Sequence, residues 1–347
     1  MDIRNKMKPA FSATKGGLFS SVTKADVGGG YLELGEQGVA LMGWADPFYP
    51  KPAFPPHVQQ ALIDAINTGF PAHYTPPIGN DDLKREIAKK LYSFNQLDVD
   101  PLRNILITPG SDSGLFYSIL PFVGPGTDVM VIDPSYPNNF QVVKLLGGNV
   151  ISVPVFEENG FQPKIEDFES HITPATKLIV LTNPNNPTTT VLRKEFLEQL
   201  ATFAIKHDLV CVVDQAFEES VFDDIEYVTL ASLPGMFERT ITVFSVSKGM
   251  ALSGLRVGYI VADDRAMDVL YGAAVAVIGA TNTASQMAVI EAFRNNDFVQ
   301  RYNKIFDERR RIAYDIFNSV PGIKMLMPEA GFFSWVNVSA AGTGDSV

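Results

Sequence analysis

The sequence predicts an α/β fold: a three-layer sandwich with a mostly parallel sheet, accompanied by a smaller α+β unit. Three observations carry this expectation. Short, continuously apolar runs such as "DVMVIDP" and "KLIVLTNP" suit strands covered on both faces. These runs alternate with stretches of helical periodicity, and strand-then-helix order favours parallel pairing. From Asp264 onward the alternation stops and three helical stretches follow one another.

The elements follow in order. "NILITPG" (Asn104–Gly110) reads as a strand ending in a turn, and "SGLFYSILPFV" as the helix after it. "DVMVIDP" is a strand, "NNFQVVKLLG" a helix stopped by Gly147, and "NVISVPV" a strand. "KLIVLTNP" is a strand followed by the helix "RKEFLEQLATFAIKHD". "LVCVVDQ", "TITVFS" and "RVGYIVA" are three further strands. The later helices are Arg265–Gly279, Ala284–Asn295 and Phe298–Ser319. Within them "VLYGAAVAVIGA" reads as a buried helix and "ERRRIAY" as a solvated face. "GIKMLMP" and "GFFSWVNV" close the pattern as two strands. The segment up to Pro50 lacks sustained periodicity and is expected to pack against this tail. The chain then divides into a large unit, 45–280, and a smaller one made of 1–44 and 281–347.

Composition excludes several classes of function. The 347 residues, 46% hydrophobic and 19% charged, are an ordinary globular mixture long enough for a sizeable core. The balance of 28 Lys+Arg against 39 Asp+Glu, a net −11, argues against a nucleic-acid or anionic-membrane partner. A single cysteine, Cys211, rules out an intrachain disulfide framework and any zinc site needing two cysteines. Its place in "LVCVVD" reads as a small buried hydrophobe. No run reaches the roughly 18 apolar residues of a membrane span, and no apolar leader is visible, so a cytoplasmic protein is expected. The four histidines show no spacing that suggests a metal site.

In sheets of this kind ligands gather at the carboxyl ends of the strands, and four such ends are unusually polar. "TPGSDSG" opens straight into a helix; the N–H groups of Ser111 and Asp112 suit a phosphate, or the stretch is simply a capped helix start. "NPNNPT" presents Asn186 from an extended turn, or is a plain loop. Asp214 ends an apolar strand, where a carboxylate either caps the next element or neutralises a cation. In "FSVSKGMALSGLRVGY" Lys248 lies among apolar and small residues. Desolvation would make it a nucleophile toward carbonyls, or its stem packs while its head reaches water. Arg256, eight residues on, stays charged and suits forked phosphate contacts or a structural ion pair. One ligand unites the four ends: a phosphate-bearing aldehyde held on Lys248, which describes pyridoxal 5′-phosphate.

With these residues in view, the sequence resembles a fold-type I pyridoxal-phosphate enzyme of the class I/II aminotransferase family. "SVSKGMALSGLRVG", "GSDSG", "DPSYPNN", "NPNNPT" and "DQAF" match its motifs in order, and the resemblance runs from about Met42 to Val338. It implies that Lys248 forms the Schiff base and shuttles the proton, and that Asp214 pairs with the pyridine nitrogen. It implies Asn186 on the ring oxygen, Tyr136 on the ring face, and Ser111, Asp112, Ser245 and Arg256 on the phosphate. Tyr74, in "HYTPPIG", matches a tyrosine that reaches the neighbouring subunit's phosphate, which implies a homodimer with shared active sites. Gly43 matches a position near the substrate carboxylate, and Trp44 is expected to line the pocket.

Two departures accompany the resemblance. Phe217 stands where the family has a tyrosine that donates to the ring oxygen. The arginine that grips the substrate carboxylate has no counterpart from Arg294 to Arg311, so it is expected beyond Val347. The implied activity is transfer of an amino group from an L-amino acid to a 2-oxo acid. The alternative is another reaction on the same cofactor, decarboxylation or β-elimination. A cofactor-sensing regulator would need a DNA-binding domain, for which there is no room before Met42, and a cofactor-free α/β protein would leave Lys248 unexplained.

Overall fold

The computed structural model describes residues 3–12, 36–38, 43, 45–49, 51 and 54–342. The sheet strands are β1 (Ile105–Thr108), β2 (Asp128–Asp133), β3 (Asn149–Pro154), β4 (Thr176–Thr182), β5 (Val210–Asp214), β6 (Thr240–Ser245) and β7 (Gly258–Val261). Their order across the sheet is β1–β7–β6–β5–β4–β2–β3. All neighbours pair parallel except β7, which is antiparallel to both β1 and β6. Only a three-residue 3₁₀ turn, Ser253–Leu255, lies between β6 and β7, too short a crossover for a parallel return, and the chain runs back instead.

Residues alternate between the two faces of the sheet, as a pleat of period two requires. Val129, Val131, Leu178, Val180, Val212 and Ile241 share one core with helices α3 (Ser111–Ile119), α4 (Pro137–Leu146) and α7 (Asp264–Val277). On the opposite face Met130, Ile132, Ile179, Leu181, Cys211 and Val213 pack against α5 (Ile165–His171) and α6 (Lys194–Lys206). The far end of that second face is covered by α1 (Pro56–Asn67), α2 (Asp81–Asn95) and α8 (Thr283–Arg294), around Ile105, Ile107, Phe244 and Tyr259. These three cores make the expected three-layer sandwich. Helix α8, assigned from sequence to the smaller unit, thus packs on the large sheet.

Local chemistry explains the boundaries. The Asn80 side chain accepts from the N–H groups of Asp82 and Leu83 at the start of α2, and Asp81 and Asp82 occupy its positive first turn. Helix α4 opens with Pro137 and ends on Gly147 in the left-handed region. The sequence reading placed no element between 51 and 103, although Leu83, Ile87 and Leu91 mark the buried stripe of α2 at helical spacing.

The tail departs from expectation in three ways. Helix α7 is not buried as a whole: Met267, Leu270 and Ala274 turn inward, while Val269 and Val275 are 63% and 69% exposed. The strands expected in "GIKMLMP" and "GFFSWVNV" shrink to a two-residue pair, β8 (Lys324–Met325) with β9 (Val336–Asn337). Residues around Ala330 are instead stitched to the loop after β5: Gly331 N donates to Ser220 O at 2.7 Å and Phe222 N to Glu329 O at 3.0 Å. Finally, the basic run on α9 (Asp297–Asn318) is not wholly solvated. Arg310 is buried, donating to both Asp223 oxygens at 2.6 and 2.7 Å, to Asp307 at 2.7 Å and to Pro328 O at 2.7 Å. Phe48 packs on Tyr302 and Phe306 of the same helix, as expected for the segment before Pro50.

Arg310 therefore joins α9, the Asp223 loop and the tail. Arg310→Met should lower the unfolding free energy by about 2 kcal/mol, because it removes a buried guanidinium's hydrogen bonds and leaves Pro328 O unpaired, while Asp223 and Asp307 stay partly exposed and keep Arg311. Arg311→Met, at an exposed position, should stay within about 0.5 kcal/mol of wild type. Thermal or urea unfolding measures both; equal effects would show that Arg310 is not the link.

Candidate active site

Six strands run the same way, so Thr108, Asp133, Pro154, Thr182, Asp214 and Ser245 end along one edge of the sheet. Every sequence-predicted site residue from Ser111 to Arg256 follows one of these ends or precedes the start of β7.

The anion cup lies where β7 meets helix α3. A Cβ on Gly258 would lie 2.7 Å from both Gly110 C and Ser111 N, so only glycine lets the strand begin against the helix start. A Cβ on Gly110 would lie 2.3 Å from Arg256 Nη2, which means the guanidinium rests on that backbone. Arg256 Nη1 donates to Ser253 O at 2.9 Å, which fixes the fork. A helix N-terminus and a guanidinium thus face one space, an arrangement suited to a phosphate. Ser245 closes the adjoining strand; its Oγ accepts from Ser247 N at 3.1 Å and keeps its own proton to donate.

Lys248 is half-buried in the loop after β6, and its Nζ donates to Ala45 O at 2.8 Å. Burial lowers its pKa, opposed by the carboxylates of Asp112, Asp214 and Asp46. Asp46 is held by Ser253 Oγ at 3.1 Å. Asp214 ends β5, 5% exposed, and accepts a 3.0 Å bond from Ala216 N. Burial pushes its carboxyl up to about 7, that N–H opposes the rise, and Asp112 adds to it. A buried carboxylate with one neutral donor and no ion pair among the described residues is set to meet a cation.

The Asn-rich turn sorts its amides. Asn183 Oδ1 accepts from Leu192 N at 3.0 Å, and Asn185 donates to Pro134 O at 3.0 Å and Thr188 Oγ1 at 2.7 Å. Half-buried Asn186 spends its amide on no hydrogen bond among the described residues, which leaves it free for a ligand. Tyr136 is half-buried and donates its hydroxyl to Asp112 Oδ1 at 2.8 Å. Asn138 Nδ2 donates to the same oxygen at 3.0 Å and to Tyr136 Oη at 3.1 Å. The Asp112 side chain is therefore committed to Tyr136 and Asn138, while its N–H stays at the start of α3.

The remaining expectations fall outside this cluster. Tyr74 is 95% exposed, with flanks fixed by Thr283 Oγ1, which donates to His73 O at 3.0 Å and lies 2.6 Å from Thr75 Oγ1. Gly43 is an exposed bend, and Trp44 lies outside the described residues. Phe217 is buried, its ring 5.7 and 5.2 Å from those of Phe332 and Phe333. Cys211 is buried and its thiol is pushed up to about 12 by burial, as expected of a packing residue.

Sequence reasoning missed the polar layer behind Asp214. Gln215 donates to Glu218 at 3.1 Å and also to Tyr227; Asn95 donates to Glu218 at 2.6 Å and to Thr229 at 2.8 Å. Lys90 completes it with an ion pair to Glu218, its amine between the Phe94 and Phe244 rings at 5.1 and 4.8 Å. Burial raises the Glu218 pKa and pushes Glu219 up to about 7. The two glutamates of "DQAFEES", just after an apolar strand, were the available signal.

The family described as "Aminotransferase class I and II" matches residues 41–345. An aspartate aminotransferase of Pyrococcus abyssi is 30% identical over 314 residues, covering 90% of this chain and 79% of the relative. An aromatic-amino-acid aminotransferase of Thermococcus litoralis gives the same identity and coverage. Among solved structures, aspartate aminotransferase from Thermus thermophilus with maleate superposes with a TM-score of 0.86 at 29% identity, over 97% of this chain and 86% of that one.

Asp214 yields a pH prediction for the cofactor-free protein. Its folded pKa lies above its ordinary 3.8, so its contribution to stability is complete below 3.8 and is lost as pH rises through about 7. Asp214→Asn should remove this part of the slope. The variant's urea midpoint should then fall less than wild type's between about pH 4 and about pH 8. Parallel curves would show that Asp214 titrates normally.

Proposed function

The chain belongs to the class I and II aminotransferases, and from that membership we propose how its residues move an amino group between an amino acid and a 2-oxo acid. The observation that carries the proposal is the run of three groups across neighbouring strand ends: Arg256 before β7, Lys248 after β6 and Asp214 at the end of β5. A cation, an amine and a buried carboxylate in that order fit the phosphate, aldehyde and ring nitrogen of pyridoxal 5′-phosphate. Bound there, this cofactor supplies the electron sink for a carbanion at the substrate Cα.

Each residue then has a task. Arg256, Ser245 and the N–H groups at the start of α3 hold the phosphate. Asp214 keeps a proton on the ring nitrogen, the cation that its buried carboxylate lacks. Asn186 donates to the ring oxygen, and Phe217 leaves that oxygen without the tyrosine donor of the family. Tyr136 supplies the ring platform. Lys248, its pKa lowered by burial, would hold the cofactor's carbonyl carbon with loss of water and, freed by the substrate amine, would take the proton from the substrate Cα and deliver it to that carbon. Transamination is favoured over decarboxylation or β-elimination by the relatives, which are named as aminotransferases.

We further propose a homodimer. Tyr74 stands uncovered on a fixed backbone, and α7 exposes Val269 and Val275; a second copy would cover both and receive Tyr74 at its phosphate. Gly43 and Trp44 are proposed to border the substrate. A cytoplasmic setting suits the one buried, unpaired cysteine. Among the described residues no helix is long and apolar enough to cross a membrane.

The test is a panel of amino donors with 2-oxoglutarate or pyruvate as acceptor. Without an acceptor wild type should release at most one equivalent of the donor's 2-oxo acid per site and should turn over repeatedly only when an acceptor is present, and Lys248→Ala should lower turnover at least a hundredfold, about the size of a proton-transfer contribution. Carbon dioxide or ammonia released without an acceptor, or an unimpaired Lys248→Ala enzyme, would sink the assignment.

A further inference from the structure

Asp112 is out of place as a phosphate ligand. It sits at the second position of α3, beside the anion cup, where a carboxylate repels the dianion that the cup would bind. Its oxygen is turned elsewhere, to Tyr136 Oη at 2.8 Å and Asn138 Nδ2 at 3.0 Å. The two ends of this contact come from loops far apart in the sheet: Asp112 follows β1 and Tyr136 follows β2, with β7, β6, β5 and β4 between them. Those intervening strands deliver Arg256, Lys248, Asp214 and Asn186. Asp112 also interacts electrostatically with both Lys248 and Asp214. The Asp112–Tyr136 bond thus joins the connections after β1 and β2, the two strands that flank the four carrying the other candidate residues.

We propose that Asp112 is a positioning residue: its carboxylate fixes the Tyr136 ring as the cofactor platform and ties that platform to the phosphate cup. The Tyr136 hydroxyl donates to Asp112 and accepts from Asn138, and Asn138 is bound to the same carboxylate, so the three side chains form one closed set of contacts. One oxygen of Asp112 accepts from both partners and so holds the ring through its acceptor position. The backbone N–H of Asp112 faces the cup while its side chain holds the platform, so one residue couples two contacts that the cofactor would otherwise order separately. Preorganisation of this kind appears chiefly as affinity.

The inference rests on the cofactor proposed above. Cofactor-free wild type, Asp112→Ala, Asp112→Asn, Tyr136→Phe and the Asp112→Ala/Tyr136→Phe double variant are titrated with pyridoxal 5′-phosphate. Kd is read by fluorescence quenching, and ring orientation by induced circular dichroism. Asp112→Ala and Tyr136→Phe should each weaken binding by about tenfold and reduce the induced signal, and the double variant should be no weaker than either single one. Asp112→Asn keeps an acceptor for the hydroxyl and should bind within about twofold of wild type. Losses that multiply in the double variant, wild-type affinity in Asp112→Ala, or an equal loss in Asp112→Asn would overturn the inference. If Asp112→Ala does not fold, Tyr136→Phe against Asp112→Asn decides, with loss expected only in the first. A wild-type protein that fails to bind the cofactor sinks the underlying function; binding without coupling sinks only the role of Asp112.

Discussion

Strand β7 runs against its neighbours, and its first residue, Gly258, meets the backbone of Gly110 and Ser111 so closely that a Cβ would lie 2.7 Å away. The rest of the site depends on this contact. It presses the start of α3 against the β6–β7 connection, so that Arg256 comes to rest on Gly110. The same connection carries Lys248, which its length places at the mouth of β5, where Asp214 ends. Had β7 paired parallel, a crossover helix would have carried Arg256 away from this edge.

Electrostatics then makes the site a place for a ligand rather than a rigid core. Asp214 is buried against its own preference for water, with one N–H for a partner, and its carboxyl rises accordingly. Lys248 suffers the opposite shift from the same burial. Each group would be relieved by a cofactor that brings a ring cation to the acid and a carbonyl to the amine. The layer behind, with Gln215, Glu218, Asn95 and Lys90, is by contrast tied together by side-chain hydrogen bonds and an ion pair that link it to the loop after β5, with Gln215 Oε1 left unpaired.

The sheet was legible because strands covered on both faces must be apolar throughout, as β4 and β5 are. Lys248, Asp214 and Arg256 were legible because charged residues beside such strands have few packing reasons to be there. What escaped depended on side-chain direction. "ERRRIAY" does not say which arginine turns inward, yet Arg310 is buried between Asp223 and Asp307 while Arg311 is half exposed. "GSDSG" does not say that the Asp112 carboxylate leaves the cup for Tyr136, a partner delivered by a strand five places away in the sheet. The short β8–β9 pair was over-read because apolar residues at 331–333 serve an aromatic cluster with Phe217 rather than a ladder.

The account stands or falls on which lysine holds the cofactor. The direct measurement is to mix the protein with pyridoxal 5′-phosphate, reduce with borohydride, digest and map the modified peptide by mass spectrometry. The account predicts one stoichiometric modification, on Lys248 within "VFSVSKGMALSGLR". Modification spread over surface lysines, or concentrated on any other lysine, would contradict it.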